Sequence, residues 1–363
     1  MNSAQRTSSY HPSPWNPVYA TDTRSSGQSE EDIQSTNESS QWLPCHYFDY
    51  MAGTSTGGLI SIMLGRLRMS IDDCISDYEK LGGKVFGHSR WFHVRSPLWG
   101  PRDKYNHEKL ENVVKEVVAR RVPKIPKFPG GQNFAFDENR CRAVVVSYQQ
   151  QNNEDRKRNV MERPYLFRTY KNLHQSDEVK EQWRDRNPGP AHDIPIWQVA
   201  RATSAAPGYF KPSEIDNLKY VDGGFGANNP SSEIFEEVLI MNNQTPTCIR
   251  VFVSIGTGKN KGVARLPVLR EGSRRARLYD MVNVVRDSGL FRFIKLANVA
   301  AKWAAESEET HEDVAKESRR ARVQYFRLNV EDGIGPMKLD EWRVRGPIRK
   351  RSRILYRRTE TSF

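Results

Sequence analysis

The feature that most constrains this chain is a change of hydrophobic pattern between Tyr47 and Leu67. The run YFDYMAG, which begins at Tyr47, has the apolar and aromatic content of a short strand. The run GGLISIMLGRL, which ends at Leu67, places its apolar residues at helical spacing. The sequence therefore predicts a strand that turns into a helix around Ser55.

The pentapeptide Gly53-Thr54-Ser55-Thr56-Gly57 at this turn matches the pattern G-x-S-x-G, which is typical of a nucleophilic serine. We expect glycine two residues before and two residues after Ser55 because a sharp turn leaves no room there for a Cβ. The start of the following helix also favours the negative charge that develops in acyl transfer. A glycine-rich turn at a helix start, with no chemical role, is the alternative interpretation.

Further strand-like runs alternate with helical stretches along the chain. The strands are predicted at CRAVVVSY (141–148), YLFRTY (165–170), LKYVDG (218–223) and IRVFVSIG (249–256). Such alternation predicts one α/β domain over about 42–342, with a mainly parallel sheet covered by helices on both faces.

Two helix starts have capping signals. Ser70 is followed by Asp73 at the spacing of a capping box, and Asn229 precedes Pro230 and the helical run SSEIFEEVLIMN. The sequence therefore predicts Ser70 and Asn229 as N-caps, with Pro230 as the first helical residue.

Asp222-Gly223-Gly224 is the second candidate for chemistry. Asp222 ends the strand-like run LKYVD, so we expect it at the carboxyl edge of the parallel sheet, where open α/β folds place their sites. A turn aspartate that bonds its own backbone is the alternative.

At these residues the sequence resembles the patatin-like phospholipases, a family of serine lipid acyl hydrolases with a Ser–Asp dyad. The resemblance covers about 42–342 and rests on CHYFDYMAGTSTGGLISIMLGRLRMS, ARATSAAPGYFKP, YVDGGFGANNP, VFVSIGTG and VQYFRLNVEDGIGPMKLDEW. It implies a three-layer α/β/α domain, a phospholipid or other acyl-lipid substrate, independence from calcium, and no metal or other cofactor. It also implies Ser55 as nucleophile and Asp222 as base, with oxyanion and motif residues at Gly53, Thr54, Thr56, Gly57, Gly58, Gly223 and Gly224.

The chain departs from the family pattern before the serine. Family members carry a glycine-rich loop on their first strand that supplies oxyanion-hole N–H groups, whereas Gly27 is the only glycine that precedes Gly53 here. We therefore expect a domain without that first strand and with an impaired oxyanion hole, to which the Thr56 N–H still contributes. The alternative function is that of a catalytically inactive patatin fold that binds lipid or protein.

Charge and composition mark the two ends of the chain. Residues 1–41 are rich in serine and threonine and poor in apolar side chains, which predicts disorder. The formal net charge is +12, and eight basic residues without an acid lie between Arg343 and Arg358. We expect a basic tail over 343–363 that contacts anionic membranes. A merely solvated tail is the alternative, and nucleic-acid binding is disfavoured because no fold signature accompanies the charge.

Other signals narrow the function classes. Four cysteines without a C-x-x-C pair argue against zinc and favour a reducing compartment, so we expect a cytoplasmic protein, peripheral to membranes at most.

A Ser55–Asp222–His311 triad is possible by chain order, but His311 lies in the charged run SEETHEDVAKE, which is typical of a solvated helix. The amphipathic stretch 274–303 fits a helix packed on the sheet better than one lying on a membrane.

Overall fold

The computed structural model describes residues 43–87, 103–122, 132–136, 140–150, 163–172, 187–225, 227–243, 245–258 and 307–329. The strands are β1 (Tyr50–Thr54), β2 (Arg142–Gln150), β3 (Arg163–Arg168), β4 (Ser213–Ile215), β5 (Leu218–Asp222), β6 (Val251–Ile255) and β7 (Gln324–Leu328). The helices are α1 (Thr56–Ser61), which continues as a π-helical turn over Ile62–Arg66, then α2 (Ile71–Phe86), α3 (His107–Arg121), α4 (Ile196–Thr203), α5 (Ser231–Met241) and α6 (307–320).

The described elements confirm the predicted strands and one of the two caps. Ser70 Oγ accepts a hydrogen bond from the Asp73 N–H at 3.2 Å and caps α2 as predicted. The second cap differs by one position, because α5 begins at Ser231 with Pro230 as its N-cap. Asn229 still provides a hydrogen-bond acceptor at the start of α5, since its Oδ1 accepts from the Ser231 N–H at 3.2 Å and from Ser231 Oγ at 2.6 Å.

Strand β2 is the centre of the larger sheet. Strand β3 pairs with it antiparallel over 144–149, and β1 pairs with it parallel over 142–146. Strand β5 pairs with it antiparallel over 147–150. Because β3 occupies one edge of β2 over most of this length, β1 and β5 must share the other edge, one after the other.

The sheet is more mixed than the alternation of strands and helices predicts. Among the described residues, two strand pairs are parallel and three are antiparallel. The antiparallel pair β4–β5 is a hairpin closed by Asp216 and Asn217, whose φ angles are 49° and 62°. Two consecutive positive φ angles are typical of the two-residue turns that reverse a strand. Strands β6 and β7 form a separate parallel pair.

Alternating residues of the sheet divide the core between its two faces. Ala143 and Val145 of β2 belong to one buried cluster, together with apolar residues of α1, α2, α3 and α4. Val144 and Val146 face the opposite way into a second cluster that includes Ile234 of α5. A third cluster joins α5 to the β6–β7 pair and α6. The α/β class with helices on both faces of the sheet is therefore confirmed.

Several sequence expectations lie outside the described residues. These are the disorder of residues 1–41, the helical stretch 274–303 and the basic tail over 343–363.

Candidate active site

Ser55 stands between the end of β1 and the start of α1, on the predicted strand-to-helix turn. Its backbone has φ 56° and ψ −122°, a conformation that a residue with a Cβ adopts only under strain. Such a conformation costs about 1–3 kcal/mol and persists only where neighbouring contacts enforce it. The turn therefore holds Ser55 in a position that an isolated peptide would avoid.

The Ser55 hydroxyl contacts the carboxylate that sequence analysis paired with it. Ser55 Oγ donates a hydrogen bond to Asp222 Oδ2 at 2.5 Å, across 167 positions of the chain. The Gly224 N–H donates to the other oxygen, Asp222 Oδ1, at 2.8 Å. Asp222 is buried, with 4% of its surface exposed. Both oxygens of this carboxylate therefore have a hydrogen-bond donor.

The register of β2 explains why these two residues meet. Thr54, the last residue of β1, lies opposite Val146, and Asp222, the last residue of β5, lies opposite Ser147. Strand β1 runs parallel to β2 and β5 runs antiparallel to it, so their carboxyl ends approach each other along one edge. Asp222 therefore lies just beyond the carboxyl end of β1, but the expectation that its own strand belongs to a parallel sheet is wrong, because β5 runs antiparallel to β2.

Burial shifts the acidity of the Asp222 carboxyl. The loss of water around it raises its pKa to about 6, and this effect outweighs the hydrogen bonds from Ser55 Oγ and the Gly224 N–H, which lower the pKa. A carboxylate whose pKa is raised in this way is a better proton acceptor for a serine hydroxyl than an exposed aspartate.

Thr203 is a site residue to which sequence analysis gave no role. The Ser55 N–H donates to Thr203 Oγ1 at 2.8 Å, and Thr203 Oγ1 donates to the Val146 carbonyl at 2.6 Å. The Ser55 N–H is therefore already committed and does not serve as an oxyanion donor. In the sequence, the one signal for Thr203 is its position within the run ARATSAAPGYFKP, which resembles the family.

The steric argument for the two glycines of the G-x-S-x-G pattern holds for one of them. A Cβ on Gly53 would lie 2.1 Å from the carbonyl carbon and oxygen of Gly57, which confirms the need for glycine there. A Cβ on Gly57 would meet nothing within 4 Å, so the same expectation at Gly57 is wrong. Gly57 closes the turn with its backbone, and its side-chain direction points into open space.

Two of the other motif glycines are enclosed by neighbouring elements. A Cβ on Gly58 would lie 2.8 Å from Thr203 Oγ1, and a Cβ on Gly223 would lie 2.7 Å from the Val146 carbonyl oxygen. The first contact brings α1 close to α4, and the second brings the end of β5 close to β2. These glycines permit the approach of the segments that carry Ser55 and Asp222.

The threonines beside Ser55 have separate partners. Thr54 Oγ1 donates to the Ala227 carbonyl at 2.8 Å, so it ties the end of β1 to the loop before α5. The Thr56 side chain lies beside Tyr78 of α2. The Thr56 N–H belongs to the first turn of α1, where backbone N–H groups have no acceptor within the helix.

The hydrolase-type triad does not form. The two oxygens of Asp222 accept from Ser55 Oγ and the Gly224 N–H, whereas His311 Nδ1 lies 3.0 Å from Tyr325 Oη and the two rings are in contact. His311 therefore packs against β7.

The described residues contain no group of three His, Cys, Asp or Glu side chains that could hold a metal ion. None of the four cysteines, all of which lie in the described ranges, forms a disulfide. Within the same ranges, no helix has the length and apolar character needed to cross a bilayer.

A family model for patatin-like phospholipases matches residues 35–234. The chain belongs to the patatin-like phospholipase family. Both Ser55 and Asp222 lie within the stretch of the chain that the patatin model matches.

Curated relatives of this patatin-like chain carry phospholipase names. The human calcium-independent phospholipase A2-gamma is 27% identical over 68% of this chain and 28% of its own length. The phospholipase A I of Arabidopsis thaliana is 24% identical over 82% of this chain and 23% of its own length. The patatin-like phospholipase 1 of Plasmodium falciparum is 25% identical over 82% of this chain and 39% of its own length. The chain thus spans well under half of each of these relatives.

The two glycines that follow Ser55 give a paired test of the turn. We expect Gly58→Ala to lower the free energy of unfolding by about 1–3 kcal/mol, because its Cβ overlaps Thr203 Oγ1. Gly57→Ala, the matched control, has room for its Cβ and should leave the free energy unchanged or raise it by up to about 1 kcal/mol. Denaturant unfolding of both variants measures the difference. Equal losses would contradict the described packing.

Proposed function

We propose that this patatin-like chain is a lipid acyl hydrolase that cleaves acyl esters of phospholipids or related lipids, with Ser55 as nucleophile and Asp222 as general base. The observation that carries the proposal is the 2.5 Å hydrogen bond from Ser55 Oγ to the buried carboxylate of Asp222. The phospholipase names of the relatives support an acyl lipid as substrate.

In the first half of the reaction, Ser55 Oγ attacks the ester carbonyl carbon while its proton passes to Asp222 Oδ2. The bond between the carbonyl carbon and the alcohol oxygen then breaks. The departing alcohol takes the proton back from Asp222, and the acyl group remains on Ser55.

In the second half, water attacks the acyl carbon and gives its proton to Asp222. Ser55 Oγ leaves as the tetrahedral intermediate collapses and recovers that proton, which releases the fatty acid and restores the starting state. One carboxylate thus serves each half-reaction in turn.

The negative oxygen that forms in both halves needs hydrogen-bond donors. We propose the Thr56 N–H as one of them, since it lies at the start of α1 directly after the nucleophile. The glycine-rich donor loop of the family has no counterpart before Gly53 in the sequence. Because the loss of one donor costs about 10²–10³ in turnover, the proposal includes slow catalysis by this chain.

Two substitutions test the proposed pair. We expect Ser55→Ala to abolish hydrolysis of a short-chain activated ester and of phosphatidylcholine vesicles, and Asp222→Asn to lower turnover by about 10²–10⁴. Ser61→Ala is the matched control, because Ser61 is a nearby buried serine at the end of α1 that donates to the Met51 carbonyl at 2.8 Å rather than to a carboxylate. It should retain wild-type turnover.

The result decides between the proposal and its alternative. Hydrolysis that survives Ser55→Ala would overturn the assigned nucleophile. A well-folded wild-type protein without hydrolysis above the Ser55→Ala background would favour the inactive patatin fold that binds lipid or protein, and vesicle binding would then be measured.

The raised pKa of Asp222 predicts a pH dependence. Only the carboxylate form accepts the proton of Ser55, so kcat/KM on an uncharged ester should rise about tenfold per pH unit below pH about 6 and level off above it. Circular dichroism at each pH would show that the protein remains folded. A flat profile between pH 4.5 and about 7 would argue against Asp222 as the base.

We propose further that the basic tail over 343–363 holds the enzyme at anionic membranes. Its basic residues each contribute up to about 1 kcal/mol of attraction at such a surface. Four cysteines that form no disulfide fit a reducing compartment, so we place this contact at a cytoplasmic membrane face.

Removal of residues 343–363 tests this contact. The shortened chain should bind vesicles that contain phosphatidylserine more weakly than the full chain, and added salt should reduce the difference. Its turnover on a soluble short-chain ester should stay unchanged. Equal binding of both chains to anionic vesicles would contradict the role of the tail.

A further inference from the structure

We infer that Thr203 is a positioning residue for Ser55: its hydroxyl fixes the backbone of the strained turn and so sets the distance between Ser55 Oγ and Asp222. The inference rests on the proposed function for its kinetic consequence, but the contact itself is independent of any reaction.

The hydroxyl of Thr203 links Ser55 to the central strand. Thr203 is fully buried, its Oγ1 accepts from the Ser55 N–H at 2.8 Å, and it donates to the Val146 carbonyl at 2.6 Å. A threonine hydroxyl has one proton and two lone pairs, so the bond to Val146 orients a lone pair for Ser55. Val146 is the β2 residue that lies opposite Thr54, so the nucleophile turn at the end of β1 is tied to the neighbouring strand β2.

The same segment also holds the other member of the pair. The Asp222 N–H donates to the Ala205 carbonyl at 3.1 Å, two residues after Thr203. Ser147 Oγ lies 3.1 Å from the Ala202 carbonyl oxygen and 2.7 Å from that of Val221. Residues 202–205 therefore contact the backbone of Ser55 on one side and the backbone at Asp222 on the other.

Strain in the turn makes this support necessary. The φ of 56° at Ser55 is unfavourable for a residue with a Cβ, so the turn tends to relax when an enforcing contact is removed. Relaxation would carry Ser55 Oγ away from Asp222 Oδ2. A misplacement of about 1 Å costs on the order of 10²-fold in rate, so a hydroxyl that bonds only the backbone of the nucleophile can control turnover.

Substitution of Thr203 separates this role from simple packing. Thr203→Val keeps the shape but removes the acceptor, so we expect kcat on a short-chain ester to fall about 10- to 100-fold with KM unchanged. Thr203→Ser keeps the hydroxyl and should restore kcat to within about threefold of wild type. Ser61→Ala, which loses a buried hydroxyl bond to the Met51 carbonyl, should leave kcat unchanged.

A second measurement needs no turnover. Hydrogen exchange of the Ser55 amide, followed by NMR on protein with isotope-labelled serine, should be at least about tenfold faster in Thr203→Val than in wild type and Ser61→Ala. If Thr203→Val does not fold, Thr203→Ala takes its place in both measurements, since it also removes the hydroxyl.

The two measurements distinguish the possible failures. Equal exchange of the Ser55 amide in wild type and the Val variant would overturn the inference. Wild-type kcat in the Val variant, from an enzyme whose hydrolysis requires Ser55, would overturn it as well. Hydrolysis that does not require Ser55 would refute the proposed function alone, and the exchange measurement would still decide whether Thr203 fixes the turn.

Discussion

The site depends on how one edge of β2 is divided between two strands that run toward each other. Strand β1 ends opposite Val146 and β5 ends opposite Ser147, so their last residues are neighbours although they are far apart in the chain. Because β2 is buried on both faces, the register of both strands is held by the core. The pairing of β1 and β5 with β2 therefore brings Ser55 and Asp222 into contact.

Close approach of backbone segments at this junction requires several enforcing contacts. Gly53 and Gly58 remove the Cβ atoms that would separate β1, α1 and α4, and Gly223 does the same beside β2. Thr203 then accepts a hydrogen bond from the Ser55 N–H, which helps to hold the strained backbone conformation of Ser55. The contacts that enforce the strained conformation of Ser55 therefore come from α1, α4 and β2.

The parts of this fold that depend on local pattern could be predicted from the sequence. The apolar runs identified the strands, and the Ser70 cap followed from its spacing to Asp73. Ser55 and Asp222 were paired through resemblance to a family, because no local pattern reports a contact across 167 positions.

The parts that depend on tertiary contacts could not be predicted in the same way. The period of a strand shows which side chains are buried, but it carries no information on direction, so the antiparallel entry of β5 was missed. The hairpin before β5 had a signal in Asp216 and Asn217, residue types that tolerate positive φ. The roles of Thr203 and Gly58 arise from packing between α1 and α4, and the open space at Gly57 is visible only once that packing is known.

The length of the hairpin turn at Asp216 and Asn217 also affects the position of Asp222 in the site. It fixes how many residues separate the reversal of the chain from Asp222, which is the last residue of β5. Insertion or deletion of a single residue in this turn would shift β5 by one position and point the Asp222 side chain to the opposite face of the sheet. Within the family, we therefore expect the length of this turn to be conserved more strictly than its residue types.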